Sequence, residues 1–207
     1  MYEATADSYA EMMDTEIKLP VYTEALNRLQ IHISGLSGAV IDTACGPGHM
    51  LSRYRDHHDP EREMVGIDLS PRMISLARKR LGSDARLLVG DMRELKEVES
   101  CSAAALLNWF ALHHLSLASV QVAMKEWHRV LVPGGQLLVA AWEGAGLIDY
   151  GETSNIVAVR YTCSELSALA VEAGFKPVSF VVTPVDDFPM DAVHLECVKH
   201  SKPDKSV

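Results

Sequence analysis

Val40-Ile41-Asp42-Thr43-Ala44-Cys45-Gly46-Pro47-Gly48-His49 decides how this chain folds. A short β-branched run breaks into a Gly/Pro loop that feeds a helix, the layout of a nucleotide-binding strand–loop–helix. Glycine is needed where a ligand lies against the backbone, because a Cβ would occupy the ligand's space. Outward from this point strand-like and helix-like runs alternate, which predicts an α/β, three-layer, doubly wound Rossmann-like parallel sheet.

The first strand is expected over Ala39–Thr43, with a helix starting at His49. The second is Met64–Asp68; Ser70 then caps a helix with Pro71 at its first position, and Gly82 ends it. The third is Arg86–Val89, followed by Gly90-Asp91-Met92. The fourth, Ser102–Asn108, is almost wholly apolar and therefore central, with both faces covered. A helix over Ser119–Val130 stops at Pro133-Gly134-Gly135, and the fifth strand is Gln136–Trp142. Thr162-Cys163-Ser164-Glu165 is a capping box opening a helix that Gly174 closes. Lys176–Val185 and Ala192–Lys199 read as an antiparallel pair. Residues 1–33 read as one or two helices broken at Pro20, and Ser201–Val207 as a disordered tail. The one long connection, Glu143–Tyr161, is of the length that tends to carry function.

At 207 residues the chain suits a single domain. A formal charge of −9 argues against nucleic acid or an anionic membrane as partner, since both need clustered Lys/Arg. Arg78-Lys79-Arg80 sits at a predicted helix end, where it complements the helix dipole. Cys45, Cys101, Cys163 and Cys197 are scattered without a CxxC pair, which suggests reduced thiols in a cytoplasmic protein and no metal site. The N-terminus has no basic-then-apolar signal pattern, and no apolar run approaches membrane-spanning length. A small-molecule partner is expected, and a homodimer stays open.

In an open parallel sheet, ligands bind beyond the carboxyl ends of the strands, where strand order reverses. Those ends supply Asp42 with the Ala44–Gly48 loop, then Asp68, then Asp91 and Met92, then Asn108 and Trp109. Asp68 has the two acceptor oxygens that both hydroxyls of a ribose need. Asp91 is placed to accept from an exocyclic amine, and Met73 and Met92 suit the faces of a base. A nicotinamide site would share the loop and the ribose carboxylate. It wants a further glycine where Leu51 stands, and it gives no role to Gly90-Asp91-Met92.

The segments VIDTACGPG, VGIDLSPRMISLAR, LLVGDM, LLNWFALHHL, HRVLVPGGQLLVAAW and YTCSELSALAVEAGF resemble a class I S-adenosylmethionine-dependent methyltransferase of the small, single-domain kind. The resemblance spans Ala39 to Phe175. It implies a seven-stranded, mostly parallel sheet whose antiparallel last strand inserts beside the sixth, with residues 36–200 as core and 1–35 as a helical lid. It implies S-adenosylmethionine as cofactor and S-adenosylhomocysteine as product. Asp42, Ala44, Cys45, Gly46 and Gly48 would face the methionine part, Asp68 the ribose, Asp91 and Met92 the adenine. Asn108 would line the methionine side, and Tyr9, Leu69, Met73, Gly90 and Trp109 complete the cofactor set. Two departures stand out: Ala44 where the family usually has Gly, and Cys101-Ser102-Ala103 where an acid usually opens the fourth strand.

His113 and His114 follow the fourth strand at the rim where an acceptor would arrive, as candidates for a general base. Tyr2, Met12, Met13, Trp142, Tyr150 and Phe188, with Tyr161 and Met190 nearby in sequence, are the acceptor-site candidates. As a group they suggest a mostly apolar pocket and a small organic acceptor. A non-catalytic protein that binds S-adenosylmethionine on the same fold is the alternative.

Overall fold

The computed structural model describes residues 2–149, 157–185 and 190–200. The chain opens with two helices, α1 (Tyr2–Glu16) and α2 (Pro20–Ile33), and the predicted break at Pro20 is the start of the second. Then come β1 (Ala39–Asp42), α3 (His49–His57), β2 (Met64–Asp68), α4 (Pro71–Leu81), β3 (Arg86–Val89) and β4 (Ala103–Trp109). A 3-10 turn at Leu112–His114 leads into α5 (Leu117–Val130) and β5 (Leu131–Trp142). A short pair, β6 (Leu147–Asp149) and β7 (Val157–Val159), precedes α6 (Cys163–Glu172), β8 (Phe175–Pro184) and β9 (Asp191–Lys199).

Seven strands form one sheet in the order β3-β2-β1-β4-β5-β9-β8. β1 pairs in parallel with both β2 and β4, so the order reverses beside β1 and opens the crevice there. β9 runs antiparallel between β5 and β8. The expected seven-stranded arrangement is therefore present, with its antiparallel last strand inserted next to the sixth.

Alternation along the strands builds two cores. Ile41, Ile67, Leu106, Val139 and Leu195 pack with Met124, Trp127, Leu166 and Phe175 on the side of α5 and α6. Val40, Leu107 and Leu138 pack with Leu26, Leu29, Leu51 and Ile74 on the other side. β1 is buried along its whole length, which explains why its sequence shows no polar alternation.

Three details differ from the sequence reading. β5 begins at Leu131, because Leu131 pairs with Ala103 ahead of the Pro133-Gly134-Gly135 turn and the register shifts within β4. α5 begins two residues early, at Leu117, because Ser116 caps it by accepting from the Ser119 amide. The long connection after β5 contains the antiparallel pair β6–β7. Its end is tied down by Tyr161, fully buried, whose hydroxyl lies 2.6 Å from the Leu115 carbonyl. Among the described residues, no helix is long and apolar enough to cross a membrane.

Trp127 is fully buried on α5, and its indole N–H donates to the Met92 carbonyl at 2.9 Å. Trp127→Phe removes that donor and leaves a buried acceptor unmade. The unfolding free energy is expected to fall by about 1–3 kcal/mol, read as a lower urea midpoint at unchanged m-value.

Candidate functional site

The bend after β1 is pinned on both sides. The Thr43 amide donates to the Leu107 carbonyl at 3.0 Å and the Cys45 amide to the Ile67 carbonyl at 2.9 Å, tying the loop to β4 and β2. Both glycines of the loop take positive φ, 49° at Gly46 and 84° at Gly48, but for different ends. A Cβ on Gly48 would come within 2.9 Å of Leu81, so this glycine lets α3 start close against α4. A Cβ on Gly46 would find only the Tyr9 ring, at 3.7 Å, and would project into a cavity. At Gly46 the backbone itself is the floor.

That cavity, of about 150 Å³, is lined by Tyr9, Thr43, Ala44, Gly46, Asp68, Leu69, Met73, Gly90, Asp91, Met92 and Arg93 on one side. Trp109, Phe110, Ala111, His114 and Leu115 close the other. Four of the candidate cofactor residues, Asp42, Cys45, Gly48 and Asn108, are not in its lining and stand behind it. Cys45 is packing: it is buried, and burial pushes its thiol pKa far up.

Asp68 ends β2 with its side chain turned back on the loop. One carboxylate oxygen accepts from the Gly46 amide and the other from the Ser70 amide, both at 2.9 Å. Each oxygen keeps a second acceptor position, the pair that two adjacent hydroxyls need. Burial raises the Asp68 pKa, opposed by those two N–H groups. Asp91 differs. Arg93, two residues on, forks its carboxylate through Nε at 3.0 Å to both oxygens and Nη2 at 2.5 Å, and holds its pKa low. An amine arriving at Asp91 shares it with a guanidinium that sequence reading passed over.

Behind the loop, Asp42 is buried, and one oxygen accepts from the Ala44 amide at 3.2 Å. Burial pushes its pKa up to about 7, with the Asp68 charge adding to the rise. Asn108 is also buried. Its amide nitrogen donates to Thr43 Oγ1 at 3.1 Å and lies 3.4 Å from Met92 Sδ, while its Oδ1 has no partner. The site thus holds a buried acid poised in the neutral range and an unused carbonyl, both favourable neighbours for a cationic ligand.

On the opposite wall, Phe110 sits at φ 50°, a conformation that costs a bulky residue energy, and its amide donates to the Ala140 carbonyl at 2.8 Å. Its ring packs on Trp142 at 4.7 Å between centroids. Trp109 lies 5.5 Å from Tyr22 and 5.3 Å from His194. The two candidate base histidines separate. His114 lines the cavity, whereas His113 is buried beneath it, 3.9 Å away ring to ring. Burial lowers both, and His113 falls to about 3.

Of the acceptor-site candidates, Met13 is buried with Ile17 and Tyr22, and Met12 is half exposed. Tyr150, Phe188 and the side chain of Tyr2 lie outside the described residues. Phe110, Tyr22 and His194 were not singled out from the sequence. The first owes its place to a positive φ no motif announces, the others to distant segments folding onto β4.

A family model described as a methyltransferase domain matches residues 40–135. The malonyl-[acyl-carrier protein] O-methyltransferase of Priestia megaterium is 25% identical over 142 residues, covering 67% of this chain and 47% of that protein. Residues 40–135 thus match a methyltransferase domain, and the chain has the fold of the class I S-adenosylmethionine-dependent methyltransferases. The tRNA (carboxymethyluridine(34)-5-O)-methyltransferase of Mus musculus is 32% identical over 108 residues, 51% of this chain and 15% of that one. Among solved structures, the 1,6-didemethyltoxoflavin-N1-methyltransferase of Burkholderia thailandensis, with bound 1,6-didemethyltoxoflavin and S-adenosylhomocysteine, superposes with a TM-score of 0.74. It is 20% identical and covers 96% of this chain and 87% of its own. This chain spans about half the length, or less, of the curated methyltransferases it matches. The cofactor of the family is S-adenosylmethionine, and the open floor at Gly46, the free acceptor positions on Asp68 and the unpartnered Asn108 Oδ1 fit it.

The raised pKa of Asp42 sets a pH signature. A folded-state pKa of about 7 against the ordinary carboxyl value of 3.8 gives stability that is present at low pH and is lost as pH rises through that window. His113 and His194, lowered by burial to about 3 and about 4 from 6.5, act in the opposite sense, gaining stability as pH rises. The difference between wild type and Asp42→Asn isolates the carboxyl. Between pH 3.8 and about 7 wild type is expected to lose ground to the variant. The loss amounts to up to about 1.4 kcal/mol per pH unit, then levels off. Urea unfolding across that range measures it, and a pH-independent difference would refute it.

Proposed function

We propose that this chain transfers the methyl group of S-adenosylmethionine to a small organic acceptor, at oxygen or nitrogen. The observation that carries the reading is Asp68: its two oxygens are each held once by backbone N–H beside a glycine floor, leaving paired acceptors toward one cavity. On this reading Asp68 takes the ribose hydroxyls. Asp91, sharing its charge with Arg93, takes the adenine amine, and Met73 and Met92 pack on the base. Asp42 acts from behind the loop, its carboxylate favoured in ionised form by a cation in front.

Bound there, the cofactor supplies a methyl carbon made electrophilic by a sulfonium. The task left to the chain is to bring the acceptor into line and keep water out, since proximity and orientation provide much of such an acceleration. Tyr9, Trp109 and Phe110 form apolar walls suited to that work. His114, at the wall and kept neutral by burial, takes the proton from an acceptor hydroxyl. His113, neutral down to about 3, supports that ring from beneath. An acceptor with a free lone pair needs no base.

Two measurements test the reading. Calorimetry with S-adenosylhomocysteine should show binding that Asp68→Ala weakens by about 10- to 100-fold, the range for charge-assisted hydrogen bonds. Turnover is read as S-adenosylhomocysteine release over a panel of phenols, amines and N-heterocycles, with bulk tRNA and acyl-carrier protein alongside. For a hydroxyl acceptor, His114→Ala should cut kcat by about 100-fold or more without changing S-adenosylhomocysteine affinity. Transfer to tRNA or acyl-carrier protein alone would sink the small-acceptor assignment, and binding without turnover on any of them would make the chain a non-catalytic binder.

A further inference from the structure

Helix α1 lies across α4, with Tyr9 over the glycine floor, yet little apolar surface holds it there. Among its described side chains only Ala6 and Met13 are fully buried. The attachment is instead made by carboxylates on the flank of that buried stripe. Near its start, Asp7 receives Arg72 Nη2 of α4 at 2.6 and 2.7 Å. Near its end, a single oxygen of Asp14 receives both Arg80 Nη2 of α4 at 2.7 Å and His49 Nε2 at 2.9 Å.

The Asp14 contacts reach the site itself. His49 is the first residue of α3, directly after the glycine loop, and is buried. A carboxylate only accepts, so His49 Nε2 carries the ring proton and donates it toward Asp14. Arg80 meanwhile donates through Nε to the Pro47 carbonyl, inside the loop, at 3.1 Å. One oxygen of Asp14 is therefore linked, directly or through Arg80, to residues 47 and 49 on either side of Gly48.

We propose that Asp14 is a positioning residue that clasps α1 to the glycine loop and to α4, holding Tyr9 over the floor and slowing escape of the bound cofactor. Asp14 touches neither floor nor cavity lining, so it acts through α1. The inference rests on the cavity being the S-adenosylmethionine site.

The test uses the full chain with S-adenosylhomocysteine as probe. Asp14→Asn is expected to raise the dissociation rate about three- to tenfold, the effect of a partly screened ion-pair cluster. The ligand-free melting temperature should stay within about 2 °C of wild type, so that the faster dissociation does not come from a loss of the fold. Asp14→Glu, which keeps the charge, should recover most of the loss. The gap between wild type and Asp14→Asn should also close from about 0.05 M to about 1 M NaCl. An Asp14→Asn dissociation rate equal to that of wild type overturns the proposal. If wild type binds no S-adenosylhomocysteine, the functional reading fails by itself. The clasp is then judged by trypsin cutting after exposed Lys18, which Asp14→Asn should accelerate, and equal cutting rates would overturn it.

Discussion

The side chain of Asp68 joins two chain turns that would otherwise be independent. Through the Gly46 amide it holds the bend after β1, and through the Ser70 amide it holds the entry to α4. Both groups are N–H donors with no strand partner, and a carboxylate satisfies the pair where a neutral side chain of that length would satisfy one. The cavity exists because these turns are fixed relative to each other. Gly48, by letting α3 close on α4, sets how far apart they sit.

This arrangement is kept against local stability. Asp42 and Asp68 are two neighbouring carboxyls whose burial raises their pKa, Phe110 is held at a left-handed φ, and Asn108 leaves a buried oxygen unbonded. Each costs free energy in a folded protein with only a few kcal/mol to spare. Their convergence on the rim beside β1 and β4 is what a binding surface preorganised for a cation looks like. The large apolar layers on either face of the sheet, anchored by residues such as Trp127 and Tyr54, offset that local cost.

What the sequence disclosed follows from which interactions are local. The loop, the Ser70 cap with Pro71, and the Thr162–Glu165 capping box are short-range devices, and each is found where the residues place it. The strand ends therefore bring Asp68, Asp91 and Met92 to one cavity by position alone. Long-range partners are different. Nothing near Trp109 in sequence announces Tyr22 or His194, and nothing near Asp91 says that Arg93 turns back onto it. The start of β5 at Leu131 depends on a register shift within β4, which a turn motif at Pro133-Gly134-Gly135 conceals. The two histidines after β4 look equivalent in sequence; only packing puts one beneath the other.

The placement of β9 has a bearing on how the molecule is made. The strand formed last along the chain fills the slot between β5 and β8, so until residues 191–199 arrive both of those strands present a naked border. During synthesis the N-terminal half can close its parallel layer early, while the side of the site that rests on Trp142 waits for Ala192 to pair with it. Assembly of the pocket is thus completed from the carboxyl side inward, and an intermediate halted before that step would carry an adhesive border on β5, where its five paired strands end.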